Sequence, residues 1–361
     1  MIIISVGLII EKVRLGVRTR KMDELERETR GHFNQYLFSE ITDIDPATEK
    51  DRYEFELQPL LHELESATLL APHHTTYRRK ALLSVMLDIS PNVKGETKIR
   101  TTYAFVQFGF AAKEIADTFN PNWWIRAKAC KNLRVMNAAS GTERLEALLS
   151  DENEDVRIEA AQSLVDIVGV NALSPILMTI RDISPWMEIR LSRSILNFSS
   201  DAIPHLAKGL KSESDRVKQF CIHMLGDIGD VYAVPVILEY INYEVPEVRH
   251  AGIVALGKLG DARAIPIIIG YAQSDDEAIR FSAAKALGNL SSPATADVLN
   301  KMLLKDTIDI RLAAAESLTK LGEIGIKTLL YSSQSDDPQT KLVTYQFLHE
   351  LGYPVPTEGV V

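Results

Sequence analysis

The feature that most constrains this chain is a period of 31 residues. A basic residue following a β-branched one falls at Arg126, Arg157, Lys218, Arg249, Arg280 and Arg311, and every step is 31 except one double step of 61. Gly226, Gly257 and Gly288 keep the same interval, as do Pro204, Pro235 and Pro266. The stretch "EVRHAGIVALGKLGDARAIPIII" (247–269) reads as a helix, a short turn and a second helix. Self-similarity at this period is the mark of a stacked array. Each hairpin is too small to bury both of its apolar faces, and neighbouring copies bury them for one another.

Each repeated position has a physical reason. Val248, Ala251, Gly252, Ala255, Leu256 and Leu259 make one apolar stripe at helical spacing. Small residues on the stripe allow close helix approach. Gly260 ends the helix where a left-handed residue costs little. Asp261 can cap the next turn, and Pro266 sits near a helix start, where its missing N–H is no loss. The double step hides a divergent unit, "WMEIRLSRSILNFSSDAIPHLAKGL". Aligning Phe198 with the last core position puts Glu188 where the basic residue belongs, with Arg190 nearby.

These units resemble HEAT repeats of the short, bilin-lyase-like kind, over roughly 120–332 with a partial last unit to about 352. Ankyrin and tetratricopeptide repeats do not fit, because the T-P-L-H turn and the W…G…Y pattern are missing. The resemblance implies an all-α HEAT-repeat solenoid with a helical N-terminal cap. The expected organisation is a membrane-proximal segment (1–21), a cap (22–118), the array (119–352) and a tail (353–361). In the cap, "MDELERETRGHFNQYLFSEI" reads as a charged helix, and residues 75–118 as two helices broken around Pro91–Gly95.

The opening "MIIISVGLIIEKVRLGVRTRK" bears on location. Ten mostly apolar residues reach about 15 Å as a helix, half a hydrocarbon core. The charges follow the apolar run and no small-residue cleavage site appears, the wrong order for a signal peptide. The order suits a membrane segment with its basic flank in the cytoplasm. The expected membrane contacts are Ile2, Ile3, Ile4, Val6, Leu8, Ile9 and Ile10, followed by Lys12, Arg14, Arg18, Arg20 and Lys21. A span truncated at its start, an interfacial anchor and a buried core segment all remain open at this point. The whole layout is similar to bacterial membrane-tethered HEAT-repeat proteins paired with polysaccharide-synthesising family 2 glycosyltransferases. That resemblance implies a protein partner, such an integral glycosyltransferase, and a place at the cytoplasmic face of the membrane.

Composition narrows the chemistry. Formal net charge is −9, mostly from residues 120–361, so the array is a poor ligand for nucleic acid. The two cysteines, Cys130 and Cys221, form no disulfide framework or metal cluster. HEAT-like deoxyhypusine hydroxylases hold a di-iron centre with repeated His-Glu pairs. Here His62-Glu63 precedes the array, His349-Glu350 ends it, and His250 is followed by Ala251. His73-His74 is a weak metal pair. The reading is therefore of a non-enzymatic scaffold without cofactor or metal, binding a protein through the concave face of the array. The competing readings are a lyase or isomerase acting on a bilin-like prosthetic group, and a fully soluble adaptor.

Two sets of residues are candidates for protein binding. Arg126, Arg157, Lys218, Arg249, Arg280 and Arg311 either pair with acids of their own or the next unit, such as Asp155, Glu247 and Asp309, or form a binding rim. Trp124 and Trp186 lie 62 residues apart and so occupy equivalent positions, with Trp123 beside the first. They either pack the turns or present anchors of the kind favoured at interfaces. Phe220, His223, His250 and Phe281 are further candidates.

Overall fold

The computed structural model describes the backbone of residues 2–38, 57–60, 62, 72–242 and 245–354, and the side chains of these residues except 2–19 and 72–75. Every regular element among the described residues is helical. The chain divides into two compact units, residues 1–169 and 170–361.

The first unit holds α1 (Ile2–Leu37), α2 (Pro72–Ile89), α3 (Gly95–Gln107), α4 (Phe110–Asp117), α5 (Trp123–Val135), α6 (Thr142–Ala147) and α7 (Glu154–Val168). Helix α1 runs without a break through residue 21, where the sequence suggested a boundary. It packs on α2, and its buried Phe33, Tyr36 and Leu37 sit in its last turn. Arg100, itself buried on α3, donates to the carbonyl of Tyr36 at 3.2 Å and so satisfies one of the carbonyls a helix end leaves open. Residues 75–118 form three helices rather than two. Besides the break before Gly95, the chain reverses at Gly109 (φ 71°), a left-handed position that glycine adopts cheaply. The cap segment is tied to the first repeat through carbonyls at the end of α5. Lys98 Nζ (2.6 Å) and Ser90 Oγ (2.7 Å) both donate to Val135, and Thr102 Oγ1 donates to Met136 at 2.7 Å.

The second unit alternates short and long helices: α8 (Leu173–Thr179), α9 (Pro185–Phe198), α10 (Ile203–Gly209), α11 (Asp215–Ile228), α12 (Val234–Tyr240), α13 (Pro246–Leu259), α14 (Ile265–Tyr271), α15 (Glu277–Asn289), α16 (Ala296–Lys305), α17 (Ile308–Lys320), α18 (Glu323–Ser332) and α19 (Pro338–Glu350). Gly229 and Gly260 take left-handed φ values of 75° and 67° at the ends of α11 and α13. Pro204, Pro235 and Pro266 each hold the second position of a short helix.

The glycine period has a packing cause. A Cβ on Gly226 would stand 2.9 Å from Cα of Ala255, and one on Gly257 would stand 2.8 Å from Cα of Ala286. One on Gly288 would come within 2.5 Å of the Ser317 side chain. These three positions therefore admit no side chain, because the small residues of the next long helix fill the seam along which α11, α13, α15 and α17 stack.

The divergent unit breaks this seam. The residue matching Gly226 on α9 is Leu196, which is exposed, and α9 packs on α11 far less extensively than α11 packs on α13. The short helices close up instead. Helices α8 and α10 lie directly against each other, whereas α12 and α14 hardly touch. Gly209 now marks the tight point, since its Cβ would meet Cys221 Sγ at 2.6 Å and Leu177 at 3.0 Å. A hydrogen bond between Ser174 Oγ and His205 Nδ1 (2.8 Å) joins the two short helices.

Candidate functional site

Five of the six ladder residues, Arg126, Arg157, Lys218, Arg280 and Arg311, are bound into the framework. The Arg126 guanidinium forks onto Asp151 at 2.7 and 2.8 Å and donates to the carbonyls of Asn120 and Pro121. Arg280 makes the same arrangement with Asp306 at 2.9 and 3.0 Å and with the carbonyls of Ser274 and Asp275. Arg311 reaches Asp337, Thr340 and the carbonyl of Asp306, while Arg157 donates to the carbonyls of Asp151 and Glu152. Each of these side chains ties its own approach loop, and three of them also hold the loop of the next unit. Asp155 and Asp309, two residues before their arginines, are not the partners of Arg157 and Arg311. Lys218 pairs with Asp215 in its own unit at 2.8 Å. Arg126, Lys218, Arg311 and Phe220 are buried, so as candidate contacts for a partner they are corrected to framework residues. Arg157, Arg249 and Arg280 are half-buried.

The pairing shows in the acidities. Burial pushes the Asp306 carboxyl up, but hydrogen bonds from Arg280 and the Thr307 amide outweigh it and hold it below the ordinary carboxylate range. Hydrogen bonds from Thr340 and Arg311 hold Asp337 at about 2. The thiols are the opposite case. Burial raises Cys130 to about 12 and also raises Cys221, so both remain protonated and inert at neutral pH.

The three tryptophans are exposed. Trp123 and Trp124 open α5, and Trp186 occupies the second position of α9. None of these rings is buried in an inter-helix turn. On α9, Trp186 continues into an outward stripe with Ile189 and Leu196, which are 62% and 46% exposed. The positions equivalent to Ile189 in later units carry Gln219, His250 and Phe281, and those equivalent to Leu196 carry the buried seam glycines. In the first unit Phe119 stands near the tryptophans in sequence, with Arg144 over its ring at 3.8 Å.

The long helices of the second unit turn one face outward, and on it α13, α15, α17 and α19 line a groove of about 700 Å³. It brings together His250 and Phe281 with Glu277, Ala278, Lys285, Asp309, Ile310, Leu312, Ala313, Glu316 and Phe347. His223 and Trp186 do not line it. Ser282 Oγ stands 2.7 Å from both His250 Nδ1 and the Ala278 carbonyl. A hydroxyl has one proton, so with Ser282 donating to the carbonyl, His250 donates through Nδ1. Lys285 Nζ rests 5.1 Å over the ring of Phe281, a cation–π contact. Burial, together with Lys258 and His250, depresses the basicity of neighbouring His223, against a smaller opposing effect of Asp227.

Sequence reasoning singles out His250 and Phe281 but misses Lys285, Glu316 and Phe347. A signal for the first two exists: His223, Val254, Lys285 and Glu316 follow one another at intervals of 31, each the ninth residue of its helix, and so share one outward position. It is obscure because an outward position has no fixed residue type. No group of three or more potential metal ligands converges among the described residues. The expected membrane contacts Ile2 to Arg18 have side chains outside the described residues, as do His73 and His74, while Arg20 and Lys21 are exposed. Among the described residues, Glu154–Thr179 is long and apolar enough to cross a membrane, but it is interrupted at Gly169 and partly buried.

A family profile described as HEAT repeats matches residues 112–195, 203–275 and 246–319, together more than half of the chain. No curated protein matches. Among solved structures, the complex of CpcE and CpcF of phycocyanin lyase from Nostoc sp. is 19% identical at a TM-score of 0.30, covering 67% of this chain and 94% of that one. Human deoxyhypusine hydroxylase is 15% identical at 0.29, covering 81% and 98%. Kap95p, from its complex with RanGDP, is 11% identical at 0.42, covering 96% and 60%. These likenesses are too distant to speak of activity.

Proposed function

We propose, from the premise that this chain belongs to the HEAT-repeat family, that it is a non-enzymatic scaffold that binds a partner protein. The groove across α13, α15, α17 and α19 carries this reading. It is open, assembled from equivalent positions of successive repeats, and lined by both apolar and charged side chains. A surface of that kind suits an extended polypeptide better than a small molecule. The exposed Trp123, Trp124 and Trp186 add anchors.

The working location in this proposal is the cytoplasmic face of a membrane. Helix α1, 36 residues long, would reach about 54 Å. Its apolar residues 2–10 lead into a run containing five basic residues by residue 21. Apolar side chains at one end and cations just beyond suit a helix that enters the bilayer and holds its flank at the headgroups. The partner we favour is an integral glycosyltransferase of exopolysaccharide synthesis, on the strength of the sequence resemblance.

Crosslinking in native membranes, followed by identification of what co-purifies, tests the reading. Capture of an integral glycosyltransferase supports it, and capture should weaken for Trp186→Ala while the melting temperature holds. A chromophore or stoichiometric metal in the purified protein, with activity in the absence of any partner, would overturn the scaffold. Full-length protein found wholly in the soluble fraction would overturn the membrane location.

A further inference from the structure

We infer that the groove of the second unit receives a cationic segment of the partner protein, one that carries a large apolar side chain between its Lys or Arg residues. This rests on the scaffold reading and specifies what that scaffold grips.

The charge of the groove is one-sided. Glu277, Asp309 and Glu316 line it with one ammonium, Lys285, which already lies over the Phe281 ring; Lys320, outside the lining, pairs with Glu316 at 3.4 Å, so carboxylates still outnumber ammoniums by three to two. The nearest ladder cations do not correct the balance. Arg280 and Arg311 turn into the loops, where Asp306 and Asp337 hold them, and neither lines the groove. Glu277 and Asp309 stand in first helical turns, where carboxylates are favoured by the helix dipole. Glu316 lies mid-helix, one turn before Lys320, which pairs with it at 3.4 Å. The matching position of the preceding repeats holds His223, Val254 and Lys285, so stacking does not dictate a carboxylate there.

The apolar component is equally local. Phe281 and Phe347 face the groove from α15 and α19, on either side of α17, which contributes Leu312 and Ala313 to the lining between them. Helices packed 8–10 Å apart would set four long helices across about 30 Å. An extended segment of about nine residues matches that span. Carboxylates around an apolar strip attract cations and repel phosphate, so the groove is suited to neither a nucleic acid nor an anionic lipid surface.

The test uses the full chain and a fluorescein-labelled peptide of alternating Leu and Lys, about ten residues long, with a Leu/Glu peptide of equal length as its counterpart. The Leu/Lys peptide should bind and the Leu/Glu peptide should not. The double variant Asp309→Lys/Glu316→Lys should lose about tenfold or more in affinity, as should Phe281→Ala, which leaves the charge intact. Asp297→Lys, an exposed change on α16 outside the groove, should bind as the parent does. Glu316→Gln gives a milder check, and circular dichroism verifies that each variant folds. Equal weakening by Asp297→Lys, or failure of the Leu/Lys peptide to bind, overturns the groove assignment. If native-membrane crosslinking still captures a partner protein in that case, the scaffold reading survives and only its cationic ligand falls.

Discussion

Two stretches of the second unit solve the same packing problem differently. From α11 to α17 the long helices press together, and each contact point is a glycine with no room for a Cβ. At α9 the matching residue is Leu196, the long helices separate, and the short helices α8 and α10 meet around Gly209. The seam of closest approach is therefore not fixed by the hairpin architecture. Within this unit it runs along the helix that offers a residue without a side chain. Where the long helix loses that residue, its outer face gains an exposed apolar stripe of Trp186, Ile189 and Leu196.

The largest effect should come from filling the regular seam. Gly257→Val would push Cβ and its methyls into Ala286, where even a lone Cβ would stand at 2.8 Å. We expect a loss of about 3 kcal/mol, read as a lowered melting temperature by circular dichroism. The matching change on α9, Leu196→Val, should stay within about 0.5 kcal/mol. Equal losses at the two positions would refute the account of the switched seam.

The ladder gives the next largest contrast. Arg280→Ala leaves Asp306 and two loop carbonyls without their donor, for a loss of about 2 kcal/mol. Glu188, at the ladder position of the divergent unit, should tolerate alanine with a change of about 0.5 kcal/mol or less. Chemical denaturation of the two variants measures the difference.

A smaller effect probes the short-helix contact. Gly209→Ala places a methyl against Cys221 Sγ and Leu177, while improving helix propensity. The neighbours are side chains rather than backbone, so a net loss of about 1 kcal/mol is expected, less than for Gly257→Val. A gain in melting temperature would show that the α8–α10 contact is loose.

Acid gives the gentlest probe. Asp337 caps α19 and is held at about 2 by Thr340 and Arg311, below the ordinary aspartate value near 3.9. A carboxyl whose pKa is lower in the fold than in the unfolded chain favours folding above the unfolded value, and that contribution is lost as pH falls from about 4 toward about 2. The caps of α9 and α11 are Ser184 and Ser214, which do not titrate in this range. Melting curves from pH 5 to 2 should therefore show a slope that Asp337→Asn flattens and Ser184→Ala leaves in place.

Much of the fold was legible because it is periodic. A helix boundary, a capping glycine or a core leucine seen once is weak, but its recurrence at 31 residues rests on the same local physics each time. The left-handed Gly229 and Gly260 and the prolines of the short helices follow from backbone sterics that need no neighbour. The extra break at Gly109 lay in the cap, where no repetition reinforced it. The candidate site was less legible. Phe220 and Phe281 look alike in the chain, yet the former is buried and the latter lines a groove.

By itself, then, the sequence determined the hairpin, its period, its caps and the place where the pattern fails. These depend on dihedral preferences and on apolar spacing within one helix. The tertiary structure alone decided which arginines are consumed by the next loop, which seam closes at the divergent unit, and which charges share the groove. Those outcomes depend on distances between residues about 25 to 35 apart in the chain, set only once neighbouring repeats have stacked.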